Sequence, residues 1–130
     1  TLRRSSAASD VYKRQYGGNP LGTAVARKVL EIMKRDSCNT MALLIEDKIR
    51  TSMTELPPVV SIRGNGALLA IELDKAISKE VAAKASMNGL LINPITPTAL
   101  RLTPPLTTSD DQIEEGIEIL KGILNAQTSS

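Results

Sequence analysis

Arg101 is the residue whose type and setting point most directly to chemistry. It stands between Leu100 and Leu102, directly before Thr103-Pro104-Pro105. Apolar residues on either side of a charged one predict a strand whose alternate side chains face opposite ways. A guanidinium at such a strand end offers a two-pronged fork to a carboxylate. The plain alternative is an outward-facing Arg on a half-exposed strand. Two glycine-bearing segments are candidate anion sites. In Tyr16-Gly17-Gly18-Asn19-Pro20, two glycines precede a helix start, where bare N–H groups and the helix dipole favour negative charge. An ordinary tight turn into a helix has the same spacing. In Arg63-Gly64-Asn65-Gly66, successive N–H groups could form an anion nest, and a hairpin turn with a solvated Arg is the alternative. A strand and not a helix follows that segment, so it is no dinucleotide fingerprint. Cys38, the single cysteine, lies in a polar stretch and reads as incidental. A single Cys excludes a disulfide framework, and with no His as well, a His/Cys metal cage and His-dependent triads are excluded and no metal site is expected.

Positioning these residues requires a scaffold, and the periodicities supply one. Asn19 is a strong N-cap and Pro20 suits the first helical position, so a helix opens there. Leu21, Val25, Val29, Ile32 and Met33 form its apolar stripe. A second helix is predicted after Asn39 or Thr40, with Met41, Leu44, Ile45, Ile49, Met53 and Leu56 on one face and Pro57-Pro58 as its stop. Both stripes read as core. Val59–Arg63 and Ala67–Leu73 read as an antiparallel hairpin around Gly64-Asn65-Gly66. Ser78 is expected to cap a short helix carrying Val81, Ala82 and Ala85, which Asn88-Gly89 ends. Leu90–Asn93 and Ala99–Thr103 are two further strands, parted by a turn at Pro94 and Pro97. Ser109-Asp110-Asp111-Gln112 is a capping box, and Ile113, Ile117, Leu120 and Leu124 face inward from the last helix. The order ααββαββα predicts an α+β fold, a small, mostly antiparallel sheet covered by helices.

Composition agrees with one packed domain. The chain has 130 residues, 42% apolar and 23% charged. No apolar run reaches the ~18 residues of a membrane helix, so a membrane partner is not expected. The net charge of +2 is misleading, because residues 1–15 hold four basic groups and one acid, leaving 12 basic and 13 acidic groups in the rest. That body has Tyr16 as its only aromatic residue and no basic patch, so a nucleic-acid partner is not expected either.

The first fifteen residues stand apart. They show no apolar periodicity and no signal-peptide core. Ser5–Gln15, SSAASDVYKRQ, resembles an in-frame translation of a transposase sequencing adapter. The gene-derived sequence is then expected to begin at Tyr16, as part of a longer reading frame.

From Tyr16 to Leu124 the chain resembles class III pyridoxal-phosphate-dependent aminotransferases. YGGNPLGTAVARKVLEIM is similar to that family's glycine turn and the helix joining its large and small domains. VVSIRGNGALLAIELD resembles its hairpin, and GLLINPITPTALRLTPPLTTSDDQIEEGIEIL its C-terminal region and closing helix. GLLIN and ALRLTPPLT are most similar to acetylornithine-type members, while YGGNPLG resembles ornithine-type members equally.

The resemblance implies the small C-terminal domain of a fold type I homodimer. The implied divisions are 1–15 as a non-native tail, 16–37 as the turn and linking helix, 38–125 as the small domain and 126–130 as a tail. It implies amino transfer from N-acetylornithine to 2-oxoglutarate, in cytoplasmic arginine biosynthesis, with pyridoxal 5'-phosphate as cofactor. Ornithine or another ω-amino acid is the alternative donor. Arg101 aligns with the family's carboxylate-gripping arginine. Gly17, Gly18 and Asn19 align with the turn beside the cofactor phosphate of the partner subunit. Gln15 stands where the family has a phosphate-binding Ser or Thr. The Schiff-base lysine lies upstream in the family, so none is expected here, and Lys28, Lys34 and Lys48 read as solvated. The chain by itself is therefore expected to be inactive. A free-standing, non-catalytic binding module is the reading from another class.

Overall fold

The computed structural model describes residues 16–128, so the adapter-like reading of Ser5–Gln15 lies outside the described residues. The described residues fall into two compact units, 16–37 and 38–128.

In the first unit, Tyr16–Gly18 form a turn and helix α1 spans Pro20–Arg35. Asn19 caps it as its type predicts, its side chain accepting from the Gly22 N–H at 2.7 Å. Proline occupies the first turn, where its missing N–H costs nothing. Lys34 and Arg35 sit in the last turn, where the dipole favours positive charge. The apolar stripe forms, but it is not core. No residue of α1 is buried, and Leu21 is 76% exposed. Helical spacing reports that residues share a face, and nothing in the sequence says what that face meets.

The second unit holds the core. Helix α2 spans Cys38–Met53, beginning just before the expected start and taking in Cys38 as its first residue. Strands β1, Val59–Asn65, and β2, Leu68–Leu73, form the expected antiparallel hairpin. Helix α3 spans Ser78–Met87, strands β3 and β4 span Asn93–Thr96 and Ala99–Leu102, and helix α4 spans Asp110–Thr128. The last helix thus runs on into the segment read as a tail. All pairings are antiparallel and the strand order is β1-β2-β4-β3. The architecture is α+β, as the element order predicts.

One face of the sheet is packed and the other is not. Leu69 lies opposite Leu102 and Ile71 opposite Leu100, all four buried. They meet Ile45, Ile49 and Met53 of α2, Val81 and Ala85 of α3, and Ile113, Ile117, Leu120 and Leu124 of α4. Each large side chain so buried contributes about 1.5–3 kcal/mol. Leu44, expected in the α2 stripe, is half exposed instead.

Three further expectations fail for physical reasons. The hairpin turns at Gly66-Ala67 and not around Gly64-Asn65-Gly66, because Gly64 and Asn65 continue β1 and pair with Leu69 and Leu68. β3 lies at Asn93–Thr96 and not at Leu90–Asn93, so Pro94 is in the strand and not in the turn. Proline lacks the N–H of a central strand, but β3 is an edge strand and one side needs no donor. Ser78 does not cap α3. The N-cap is Ile77, and Ser78 is fully buried, its hydroxyl donating to the Thr96 carbonyl of β3 at 2.5 Å. A buried hydroxyl must find an acceptor, and a strand carbonyl provides it. The other end of α3 behaves as predicted. Gly89 adopts φ 86° and the Leu90 N–H reaches the Ala85 carbonyl, a Schellman closure. At α4, the Gln112 N–H donates to Ser109 Oγ while the Ser109 N–H donates to the Gln112 side chain, completing the capping box.

Candidate functional site

The register of three strands builds the site. Residues directly opposite one another share a face. Arg63 on β1 lies opposite Ala70 on β2, Ala70 lies opposite Arg101 on β4, and Arg101 lies opposite Asn93 on β3. These four residues therefore form one row across the uncovered face. Arg63 and Arg101 stand on either side of Ala70, about 10 Å apart across two strand spacings. The methyl of Ala70 floors an open hollow that both arginines line, with Asn65 and Leu68 beside them.

The two guanidinium groups differ. Arg63 Nη2 donates to Glu72 at 2.9 Å, so its charge is already met. Thr98 Oγ1 also donates to Glu72, at 2.5 Å. The Thr98 hydroxyl first, and then Arg63, hold the Glu72 carboxyl below the ordinary carboxylate range. Arg101 is exposed, while Leu100 and Leu102 are buried on the opposite face. Among the described residues its guanidinium has no hydrogen-bond or ion-pair partner. The fork predicted from the sequence is thus rigidly based, open and uncommitted.

The glycine turn at the start of α1 belongs to the other unit. The Asn19 N–H reaches the Tyr16 carbonyl and Gly18 adopts φ 75°, the left-handed value that a turn of this kind requires. Asn19 spends both ends of its amide locally, accepting from Gly22 and donating to the Tyr16 carbonyl at 2.6 Å. Its side chain shapes the turn. Among the described residues the Gly17 and Gly18 N–H groups have no partner. These two donors, not the Asn19 amide, suit a phosphate oxygen. Gln15 lies outside the described residues.

The second glycine segment does bind an anion, but the anion is the chain's own. The Gly66 N–H donates to Glu46 Oε2 at 2.5 Å. Arg50 Nε meets the other oxygen of Glu46 at 2.8 Å, and its two terminal nitrogens donate to the Ile62 and Gly64 carbonyls at 2.8 Å each. The Gly66 N–H, and after it Arg50, hold the Glu46 carboxyl below its ordinary range. A single helix turn separates Glu46 from Arg50, so the sequence reads them as a routine surface pair. Nothing local reveals the hairpin they grip.

Four lysines, Lys28, Lys48, Lys84 and Lys121, face carboxylates, while Lys34, Lys75 and Lys79 have no ion-pair partner among the described residues. Lys28 lies 3.3 Å from Glu31, Lys84 2.8 Å from Glu80 and Lys121 2.9 Å from Glu118. Lys48 is not merely solvated. It bridges α2 to α4 through Glu114 at 3.0 Å and Asp110 at 3.2 Å, and those two hydrogen bonds raise its pKa. A lysine nucleophile needs the reverse environment, one that strips its proton near neutral pH. Among the described residues, no His, Cys, Asp and Glu cluster could hold a metal ion, and no helix is long and apolar enough to cross a membrane. A second cavity, against Ile49, Met53, Leu90, Pro104 and Leu120, is lined without a charged residue.

The fold is an α+β unit with an exposed arginine on its open sheet face, and comparison with known proteins identifies its family. The profile described as "Aminotransferase class-III" matches residues 7–124, and the chain belongs to that family. An ornithine aminotransferase of Schizosaccharomyces pombe is 32% identical over 117 residues, 85% of this chain and 27% of the relative. An acetylornithine aminotransferase of Corynebacterium efficiens is 31% identical over 112 residues, 84% of this chain and 27% of the relative. The solved ornithine aminotransferase of Toxoplasma gondii, described with partial occupancy of PLP at its active site, superposes with a TM-score of 0.75 at 29% identity, over 88% of this chain and 29% of that one. The chain thus spans about 27% of the length of the curated relatives it matches first.

Proposed function

We propose that this chain is the small C-terminal domain of a transaminase that moves an amino group from N-acetylornithine to 2-oxoglutarate in arginine biosynthesis. The observation that carries the reading is Arg101: an exposed guanidinium, uncommitted among the described residues, projecting from a strand whose flanking leucines are anchored in the core. Its role is to bind the substrate α-carboxylate through two parallel hydrogen bonds, which fixes both position and orientation. Ala70 opposite it leaves the space that a carboxylate needs.

Pyridoxal 5'-phosphate, when bound, would supply the electron sink for the transfer. Gly17 and Gly18 would offer backbone N–H groups to its phosphate from the partner subunit of a homodimer, with Asn19 holding their turn. The residues present fit that accessory part. On this reading the Schiff-base lysine belongs to sequence upstream of Tyr16; Lys28, Lys48, Lys84 and Lys121 each face a carboxylate, which favours their charged form. Residues 1–15 are read as a non-native tail, 16–37 as the inter-domain link and 38–125 as the small domain.

Relatives of both ornithine and acetylornithine type match at similar identity, so the donor is the point to test. The experiment is to sequence the source locus across the codon for Tyr16 and express the longest frame containing it. Transfer to 2-oxoglutarate is then measured from N-acetylornithine, ornithine and 4-aminobutyrate. N-acetylornithine should give the highest kcat/KM. Arg101→Lys should lower kcat/KM roughly tenfold to a hundredfold, through the lost bidentate geometry. Preference for ornithine would replace the donor. An unchanged kcat/KM in Arg101→Lys would remove Arg101 from the site.

A further inference from the structure

The free edge of β1 is occupied by side chains. Among the described residues, β1 has β2 on one side and no strand on the other. Asn65 and Leu68 flank the two-residue loop of the hairpin, Gly66-Ala67, so they form a hydrogen-bonded pair. Antiparallel pairs alternate, so Arg63 and Ala70 form the next bonded pair. Ile62 and Gly64, in non-bonded pairs, therefore aim their N–H and C=O groups outward. These outward carbonyls are the two that receive Arg50, and the next outward N–H, that of Gly66, is the one that Glu46 accepts. Three consecutive backbone positions that a neighbouring strand would use are engaged by two residues of α2.

We propose that Glu46 and Arg50 act together as an edge guard, a side-chain substitute for a fifth strand that keeps β1 from pairing with β1 of a second copy of this chain. An open edge is a template for strand addition, and covering it is a way proteins prevent that. The spacing fits the task. One guanidinium has two terminal nitrogens, and they match carbonyls two residues apart on one side of a strand. The pair is anchored internally by its own Glu46–Arg50 contact, with Glu46 only 17% exposed. Exposed Val60 on the same strand would add apolar surface to any pairing. This role is independent of transamination and stands whether or not Arg101 binds a carboxylate.

The test compares the full chain with Arg50→Met, which keeps the stem and removes the donors. Circular dichroism confirms folding, sedimentation velocity reads association, and hydrogen exchange reads the Ile62, Gly64 and Gly66 amides. Arg50→Met should associate at about tenfold lower concentration than the parent, with the Gly66 amide exchanging faster before association. Adding Val60→Lys should return association to the parent level, because a charge on the strand opposes edge pairing and leaves the α1 stripe untouched. A folded Arg50→Met chain with unchanged association would overturn the proposal, as would association that Val60→Lys leaves in place. If Arg50→Met does not fold, Glu46→Gln decides. It should speed Gly66 amide exchange and promote association to a smaller degree, and no change in either rejects the guard.

Discussion

The two glycine turns look alike in sequence and do opposite things. Gly17-Gly18-Asn19 and Gly64-Asn65-Gly66 each place glycines beside an asparagine at the border of a regular element. In the first, Asn19 turns inward to cap its own helix, and the neighbouring N–H groups lack a partner among the described residues. In the second, α2 delivers a carboxylate to the Gly66 N–H and a guanidinium to the carbonyls on the same edge. The glycines supply donors in both. What decides between a ligand site and a structural joint is the charge that another element brings to them. The same distinction separates Arg63, already met by Glu72, from Arg101, which stands uncommitted among the described residues.

The comparison breaks most sharply with alanine. At Gly64, φ is 109° and an added Cβ would lie 2.1 Å from the Leu68 carbonyl oxygen, which is backbone of the paired strand and cannot swing away. At Gly18, φ is 75° but an added Cβ would meet nothing within 4 Å. Gly64→Ala should cost on the order of 3 kcal/mol of global stability, from strained backbone and a displaced ladder. Gly18→Ala should cost about 1 kcal/mol, confined to the turn. Urea unfolding followed by far-ultraviolet circular dichroism separates them. Equal losses at the two glycines would mean that the hairpin relaxes freely and is no joint.

A smaller effect distinguishes the two caps. Asn19 caps α1, none of whose residues is buried, and Ser109 caps α4, whose apolar face forms much of the core. Each substitution to alanine removes about 1 kcal/mol of helix stability. Ser109→Ala should therefore lower Tm by roughly 4–8 °C, since α4 unfolds with the core. Asn19→Ala should leave Tm unchanged and reduce only the helicity of α1, read as faster amide exchange between Leu21 and Thr23. A Tm shift for Asn19→Ala would show that α1 is thermodynamically part of the core.

Much of this was legible from local rules, and the failures share a cause. Asn19 and the Ser109–Gln112 box follow from short-range hydrogen bonding. The hairpin and the inward face of α4 follow from period two and period 3.6. Arg101 followed from alternation, because a charge between two leucines in a strand must face away from them. What escaped required knowledge of a distant partner. Locally Pro94 reads as a turn, because its tolerance depends on β3 lying at an edge. Ser78 reads as a cap, because its acceptor is on a strand far along the chain. The α1 stripe reads as core, because periodicity cannot name the surface it meets. Glu46 and Arg50 drew no notice, and a charged pair one turn apart, before a glycine hairpin, is the pattern to watch for.

The smallest effect is electrostatic and sharpens the contrast between the occupied and the open turn. Glu46 has its pKa lowered from an ordinary value of 4.5, by the Gly66 N–H first and Arg50 second. A carboxyl with a depressed folded pKa binds fewer protons folded than unfolded, so its stabilising contribution is present above 4.5 and fades as pH falls through the folded value. Lowering pH from about 5 to about 3 should loosen the α2–hairpin contact and reduce the protection of the Gly66 amide relative to its intrinsic exchange rate, which itself slows over this range. Glu46→Gln should flatten that dependence, because its amide does not titrate. The Gly17 and Gly18 amides, with no carboxylate on them among the described residues, should keep the ordinary pH dependence of exchange throughout. Nuclear magnetic resonance exchange rates across this window follow all three glycines in one sample. If the Gly66 amide tracked Gly17 and Gly18 at every pH, Glu46 would not hold it in solution, and the two turns would differ in shape alone.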